Sequence, residues 1–78
     1  MSTWNYRLMA HESKDEIYFE IHEVFYNKKG KPDGCTMNPV TVGGESKKGI
    51  KWTLKKMKKA CKKPILWYGD KFPKEYKK

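Results

Sequence analysis

The chain has 78 residues, with 18 Lys or Arg against 9 Asp or Glu and a formal net charge of +9. A chain this short builds one modest core and has no room for a second domain. With no apolar run near the ~20 residues of a membrane span, no signal-peptide pattern at the start, and Cys35 and Cys61 outside any CxxC pair, the expectation is a reduced, cytoplasmic chain.

Apolar residues are few, at 37%, but three Trp, five Tyr and three Phe supply large pieces of burial area. In WNYRLMAH, residues 4–11, Trp4, Tyr6 and Leu8 alternate with Asn5 and Arg7, the pattern of a half-buried strand. ESKD, 12–15, is a charged turn. EIYFEIHEVFY, 16–26, is rich in β-branched and aromatic residues and forms the strongest strand signal in the chain. Ile17, Phe19 and Ile21 share one parity, Val24 and Tyr26 the other, so a bulge near His22 and Glu23 is expected. NKKGK, 27–31, reads as a hairpin loop with Gly30 in a left-handed backbone. CTMNPVTV, 35–42, reads as a third strand, at an edge or broken at Pro39.

Ser46 is a good N-cap for a helix from about Lys47 to Lys62, which Pro64 stops. Ile50, Thr53, Leu54, Met57, Ala60 and Cys61 fall on one stripe and make its core face. ILWY, 65–68, is a short fourth strand or a segment folded over the helix end. The fold class expected is α+β, in two layers: a three-stranded antiparallel sheet with one amphipathic helix on one face, in the order β-β-β-α, with residues 65–68 as an optional fourth strand. Residues 1–68 form this single domain, and 69–78 a flexible basic tail.

The charge is unevenly placed. Residues 1–45 hold five basic and seven acidic side chains, a sum of −2, whereas 46–78 hold thirteen lysines against Asp70 and Glu75, a sum of +11. Such a positive pole attracts a polyanion or an acidic protein. Seventeen of the 18 basic residues are lysine, where readers of base sequence favour arginine. A composition bias that fills solvent faces with lysine explains the same pattern without a partner.

Trp52 lies about 160° from Leu54 around the helix, away from the core stripe. Lys48, Lys55, Lys56 and Lys59 are its helical neighbours, and Lys62 and Lys63 extend the basic surface. These seven residues are the candidate binding site. The indole could stack on a base while lysines hold phosphates, anchor a protein interface, or be covered by residues 65–78.

Other chemistries have less support. His11, His22, Cys35 and Cys61 are metal-ligand types without ligand spacing, and Cys61 on the core stripe reads as a small buried hydrophobe. Glu20, His22 and Glu23 are accounted for as the polar positions of a half-exposed strand. No cofactor, metal site or catalytic residue is expected.

The opening SxWNYR (Ser2, Trp4, Asn5, Tyr6, Arg7), then EVFY (23–26), GKP (30–32), PV (39–40), GES (44–46) and KPIL (63–66) resemble a family of small bacterial proteins with no assigned function. The resemblance spans most of residues 2–68 and implies a bacterial or phage-borne cytoplasmic protein with a sheet and a helix. It implies no activity. The strand order is also similar to that of HicB-type antitoxin domains, at the level of fold.

The expectation is therefore a small non-enzymatic binding module that contacts nucleic acid non-specifically through phosphates. The alternative is a protein-interaction, inhibitor or regulatory domain that meets an acidic protein through a sheet edge or the Trp52 face, with a homodimer through a sheet edge as a variant.

Overall fold

The computed structural model describes residues 3–77; Ser2, in the opening motif, and Lys78, in the expected tail, lie outside the described residues. The elements in chain order are β1 (Thr3–Ser13), β2 (Glu16–Tyr26), β3 (Pro32–Cys35), α1 (Lys47–Ala60) and β4 (Leu66–Trp67). They form an α+β fold with a four-stranded sheet in the order β3-β2-β1-β4.

β1 and β2 are the frame. They pair antiparallel from Thr3↔Tyr26 to Ser13↔Glu16 without interruption. Lys14 and Asp15 both have positive φ, 46° and 70°, which is the two-residue hairpin turn whose twist suits the flanking strands. The next loop is held by Asn27, whose Oδ1 accepts from the Lys29 and Lys31 amides at 2.9 and 3.1 Å. Gly30 takes φ 78° there, as its sequence position required.

Three details of the sheet differ from expectation. No bulge interrupts β1–β2 near His22; the irregularity is between Phe25 and Tyr26, where β2 meets β3. The third strand is Pro32–Cys35 rather than 35–42. Beyond it, only the Thr36 amide (to Glu23 O, 3.0 Å) and the Val40 amide (to Ile21 O, 2.9 Å) continue along β2, and Pro39 between them has no N–H to give. β4 pairs parallel to β1, Met9↔Leu66, so the sheet is mixed.

The buried faces also differ. Arg7, Met9, His22 and Val24 are buried, while Trp4, Ile17 and Phe19 are exposed. The cause is that both faces of the hairpin have cover. On one, Met9, Val24 and Leu66 form a core closed by Tyr26, Cys35, Tyr68 and Phe72. On the other, α1 packs against β1. Simple alternation cannot rank two covered faces, and it misses a core that the C-terminal segment completes.

That segment is the expected tail. Residues 69–77 run back along β4: Trp67 N–H donates to Lys74 O at 2.8 Å and Tyr76 N–H to Ile65 O at 2.7 Å. Tyr76 meets both Phe19 and Trp67 edge-on, at centroid distances of 5.4 and 5.2 Å.

Ser46 caps α1 as expected, its Oγ accepting from the Gly49 amide at 3.0 Å. The helix ends at Ala60 with Cys61 as its cap residue. Met57 and Ala60 are buried, Ile50 and Thr53 half-buried. Leu54 is 50% exposed and Cys61 is exposed, so neither belongs to the core face. The seated stripe runs 50, 53, 57, 60, narrower than the apolar stripe of the sequence because one strand of contact suffices to seat a single helix.

Met9 is fully buried in the core, whereas Met37 is 80% exposed. Met9→Ala is expected to lower unfolding free energy by about 2–5 kcal/mol, and Met37→Ala by less than about 0.5 kcal/mol. Urea titration of the two variants beside wild type checks both.

Candidate functional site

Trp4 and Tyr6 lie two apart on β1 and so on one face; their rings meet edge-on at 5.3 Å and 84°. Trp52, Lys56 and Lys59, spaced four and three apart, form one stripe along the flank of α1, and Lys63 continues it in the turn after the helix. The two sets face each other. With Asn5 they line a hollow of about 340 Å³ at the junction of sheet and helix. Trp4 and Trp52 keep 47% and 54% of their surface exposed, so the hollow is lined by accessible indole. Lys56 Nζ sits 5.5 Å from the Trp52 ring centroid, within cation–π range.

Of the seven residues singled out from the sequence, Trp52, Lys56, Lys59 and Lys63 line this hollow. Lys48 and Lys55 of α1 and Lys62 in the turn after it do not; all three are exposed. Trp52 is thus on the flank of α1 beside the sheet, rather than straight out from it. Trp4, Asn5 and Tyr6 are the partners that sequence spacing could not supply, since they come from a strand more than forty residues away. Trp67 belongs elsewhere, under Lys71 (4.2 Å from its centroid) and against Tyr76.

A second constellation occupies the far end of the opposite face. His11 of β1 and His22 of β2 bring their Nε2 atoms to 2.9 Å. Glu20 Oε1 lies 3.4 Å from His11 Nε2. His11 and His22 do not pair across the ladder: His11 faces Tyr18, and His22 faces Arg7. Only a strongly curled hairpin lets them meet. His11 stacks on Tyr18 (5.1 Å, 15°) and on Tyr68 (4.3 Å, 20°), which fixes its ring plane.

The tautomer of His22 follows from its neighbours. Nδ1 lies 3.0 Å from the carbonyl oxygen of Thr36. A carbonyl only accepts, so Nδ1 carries the proton. The ring is fully buried, and burial is the main cause that holds its pKa below the ordinary histidine value. The Thr36 hydrogen bond opposes this, His11 adds to it, and Glu20 opposes it. Neutral His22 therefore presents an unprotonated Nε2 toward His11.

Cys35 and Cys61 are free thiols and join neither constellation; Cys35 lies in β3, where burial raises its pKa. Among the described residues, no helix is long and apolar enough to cross a membrane. The chain matches no family model, no curated protein and no solved structure.

The state of His22 makes stability depend on pH. Its folded pKa lies below the unfolded value of about 6.5, so the unfolded chain binds more protons in mild acid. This contribution is whole above about pH 6.5 and is lost as pH falls toward the folded pKa. Around His22 stand His11, Glu20, Arg7 and Tyr68. In chelator-treated protein, unfolding free energy is expected to drop between about pH 7.5 and 5.5, and His22→Asn to flatten that drop. Denaturant titrations at the two pH values measure both.

Proposed function

We propose that the chain is a small non-enzymatic binding module for single-stranded nucleic acid. The observation that carries this reading is the meeting of Trp52 with Trp4 and Tyr6 in one open hollow whose edge is Lys56, Lys59 and Lys63. A base that enters the hollow stacks on indole, while its flanking phosphates meet ammonium groups. Stacking is tolerant of base identity because every base has a π-face.

Electrostatics favour the same ligand. The half of the chain that holds α1 sums to +11 by the residue count above. Lys48, Lys55 and Lys62 add to the field without lining the hollow, and long-range attraction needs no contact. The near absence of arginine fits phosphate neutralisation rather than base reading.

An acidic protein segment is the second reading. It is favoured by the exposed apolar surface of Trp4, Phe25, Trp52 and Leu54, at 47%, 39%, 54% and 50%. Exposed Trp anchors many protein interfaces. The two readings part on what nuclease removes and on salt.

Titration with a mixed-sequence single-stranded oligonucleotide, followed by Trp emission, is expected to show quenching, and Trp52→Phe to lose most of its amplitude. Three phosphate contacts predict a slope of log K against log salt near −2, and Lys56→Gln, Lys59→Gln and Lys63→Gln together should bring it close to zero. Trp52→Ala should cost about 1–3 kcal/mol of binding. Absence of binding at low salt, or binding indifferent to the triple substitution, rejects the reading. Nuclease-resistant capture of an acidic partner through Trp52 would establish the second.

A further inference from the structure

We propose that His11, Glu20 and His22 form a binding site for a divalent transition-metal ion, zinc by the character of its donors. The site lies on the opposite face of the hairpin from the aromatic hollow and is independent of the nucleic-acid reading.

The geometry is that of three ligands around one point. One donor atom from each of the three side chains lies within 4.8 Å of the other two. Zinc binds imidazole nitrogen and carboxylate oxygen at about 2.0–2.2 Å. At a bond length of about 2.05 Å, the 2.9 Å between the two Nε2 atoms corresponds to an N–Zn–N angle of about 90°. The 3.4 Å from His11 Nε2 to Glu20 Oε1 corresponds to about 112°. These two separations suit one ion; the imidazoles now meet nearly end to end, with centroids 5.0 Å apart, so side-chain rotation brings both lone pairs and the Glu20 carboxylate onto it.

The surroundings hold the ligands in the required state. Metal-bound histidines generally donate their other N–H to a carbonyl or carboxylate, which sets the tautomer. His22 does this already, from Nδ1 to Thr36 O at 3.0 Å. Its Nε2 carries the lone pair, which faces His11 Nε2 at 2.9 Å with the residue fully buried. His11 is clamped between Tyr18 and Tyr68. Glu20 keeps 36% of its side chain exposed, so an ion can enter from its side and a water or ligand can take the fourth position. Two imidazoles and one carboxylate suit zinc, whereas a magnesium or calcium site would be built from oxygen.

The same contacts could be a plain hydrogen bond, His11 Nε2–H to His22 Nε2. What that bond leaves unused is the Glu20 carboxylate, which converges on the same atom and supplies the negative charge a cation needs. A bound ion would also join the tip half of β1 to β2 and to the loop at Thr36, a staple of the kind small domains use.

The test uses tag-free, chelator-stripped full chain, titrated with ZnCl₂ by calorimetry and repeated with Co²⁺ for its ligand-field spectrum. One zinc per chain is expected, with a rise of the thermal midpoint by about 10 °C or more at a hundredfold excess over Kd. Glu20→Gln, on a partly exposed side chain, keeps the fold and should weaken binding at least about tenfold. His11→Ala should abolish stoichiometric uptake. Cys35→Ser with Cys61→Ser should retain it, and so separates this site from adventitious thiol binding. Absence of a single-equivalent site, uptake unchanged in Glu20→Gln and His11→Ala, or uptake lost with the cysteines overturns the proposal.

Discussion

Arg7 carries a permanent positive charge into a space that leaves it 7% exposed, and among the described residues no carboxylate lies within ion-pair distance of it. Its terminal nitrogens donate instead to the Tyr26 hydroxyl at 2.7 Å and the Pro64 carbonyl at 2.6 Å. Burying a cation against neutral acceptors is costly, and its Nε has no hydrogen-bond partner among the described residues. The return is positional. The Tyr26 hydroxyl in turn donates to Asn5 Oδ1 at 2.7 Å, so the arginine ties the end of β2 to Asn5, which lines the aromatic hollow. Pro64 follows Lys63 at the rim of that hollow and precedes β4. One guanidinium thus sets where the chain leaves the helix, and from there Leu66 comes into register with Met9.

The hairpin uses both of its faces. On β1, Trp4 and Tyr6 turn toward Trp52 of the helix and Ala10 toward the face where Tyr76 covers Phe19 and Trp67, whereas Arg7, Met9 and His11 turn toward the face that holds Val24, Leu66 and Tyr68. The period of a strand is two, so every residue of β1 is committed to one layer or the other. A slip of one residue in pairing with β2 would carry Arg7 and Met9 to the helix and Trp4 to the core, so the fold holds the register at several points at once. The positive-φ pair Lys14–Asp15 sets it at the tip, Arg7 and Tyr26 at the open end. The polar residues of β2 that alternation assigns to a solvent face are for this reason partly interior: His22 is buried because Tyr68 and the loop at Thr36 close over it.

Local chemistry in this sequence is legible, and long-range cover is not. The turn at 14–15, the loop around Gly30, the Ser46 cap and the helix follow from residues within a few positions of one another. Trp52 and its lysines follow likewise, because helical spacing places them on one surface. Trp4 and Tyr6 reach Trp52 only through the packing of β1 on α1, which no spacing encodes. Glu20 joins His11 and His22 only because the hairpin curls. A two-residue turn at 14–15 makes paired positions sum to 29, which puts all three on one face, but a flat hairpin would keep His11 and His22 apart. The largest misreading, a free tail from residue 69, has a similar cause. A stretch of Lys, Pro and Tyr has the composition of a solvated segment, and its order comes from backbone bonds to Ile65 and Trp67 and from three aromatic contacts.

The lysines of α1 and of the turn after it illustrate how one composition serves two physical roles. Those at 56, 59 and 63 line the hollow with Trp4, Tyr6 and Trp52, and Lys56 Nζ lies 5.5 Å from the Trp52 ring centroid. Those at 48, 55 and 62 are exposed and lie outside the hollow. A lysine of the first kind adds its charge at the edge of the hollow; one of the second kind acts only through the field, which salt screens over about 8–10 Å. Sequence composition counts both kinds alike. On the nucleic-acid reading, the first set the affinity at contact and the second the rate of approach, so the excess of lysine over arginine follows from a surface that gathers phosphate without reading sequence. The other face of the hairpin inverts this logic. There two imidazoles and a carboxylate are few, oriented and mostly buried, and whatever they hold is selected by direction of lone pairs rather than by field.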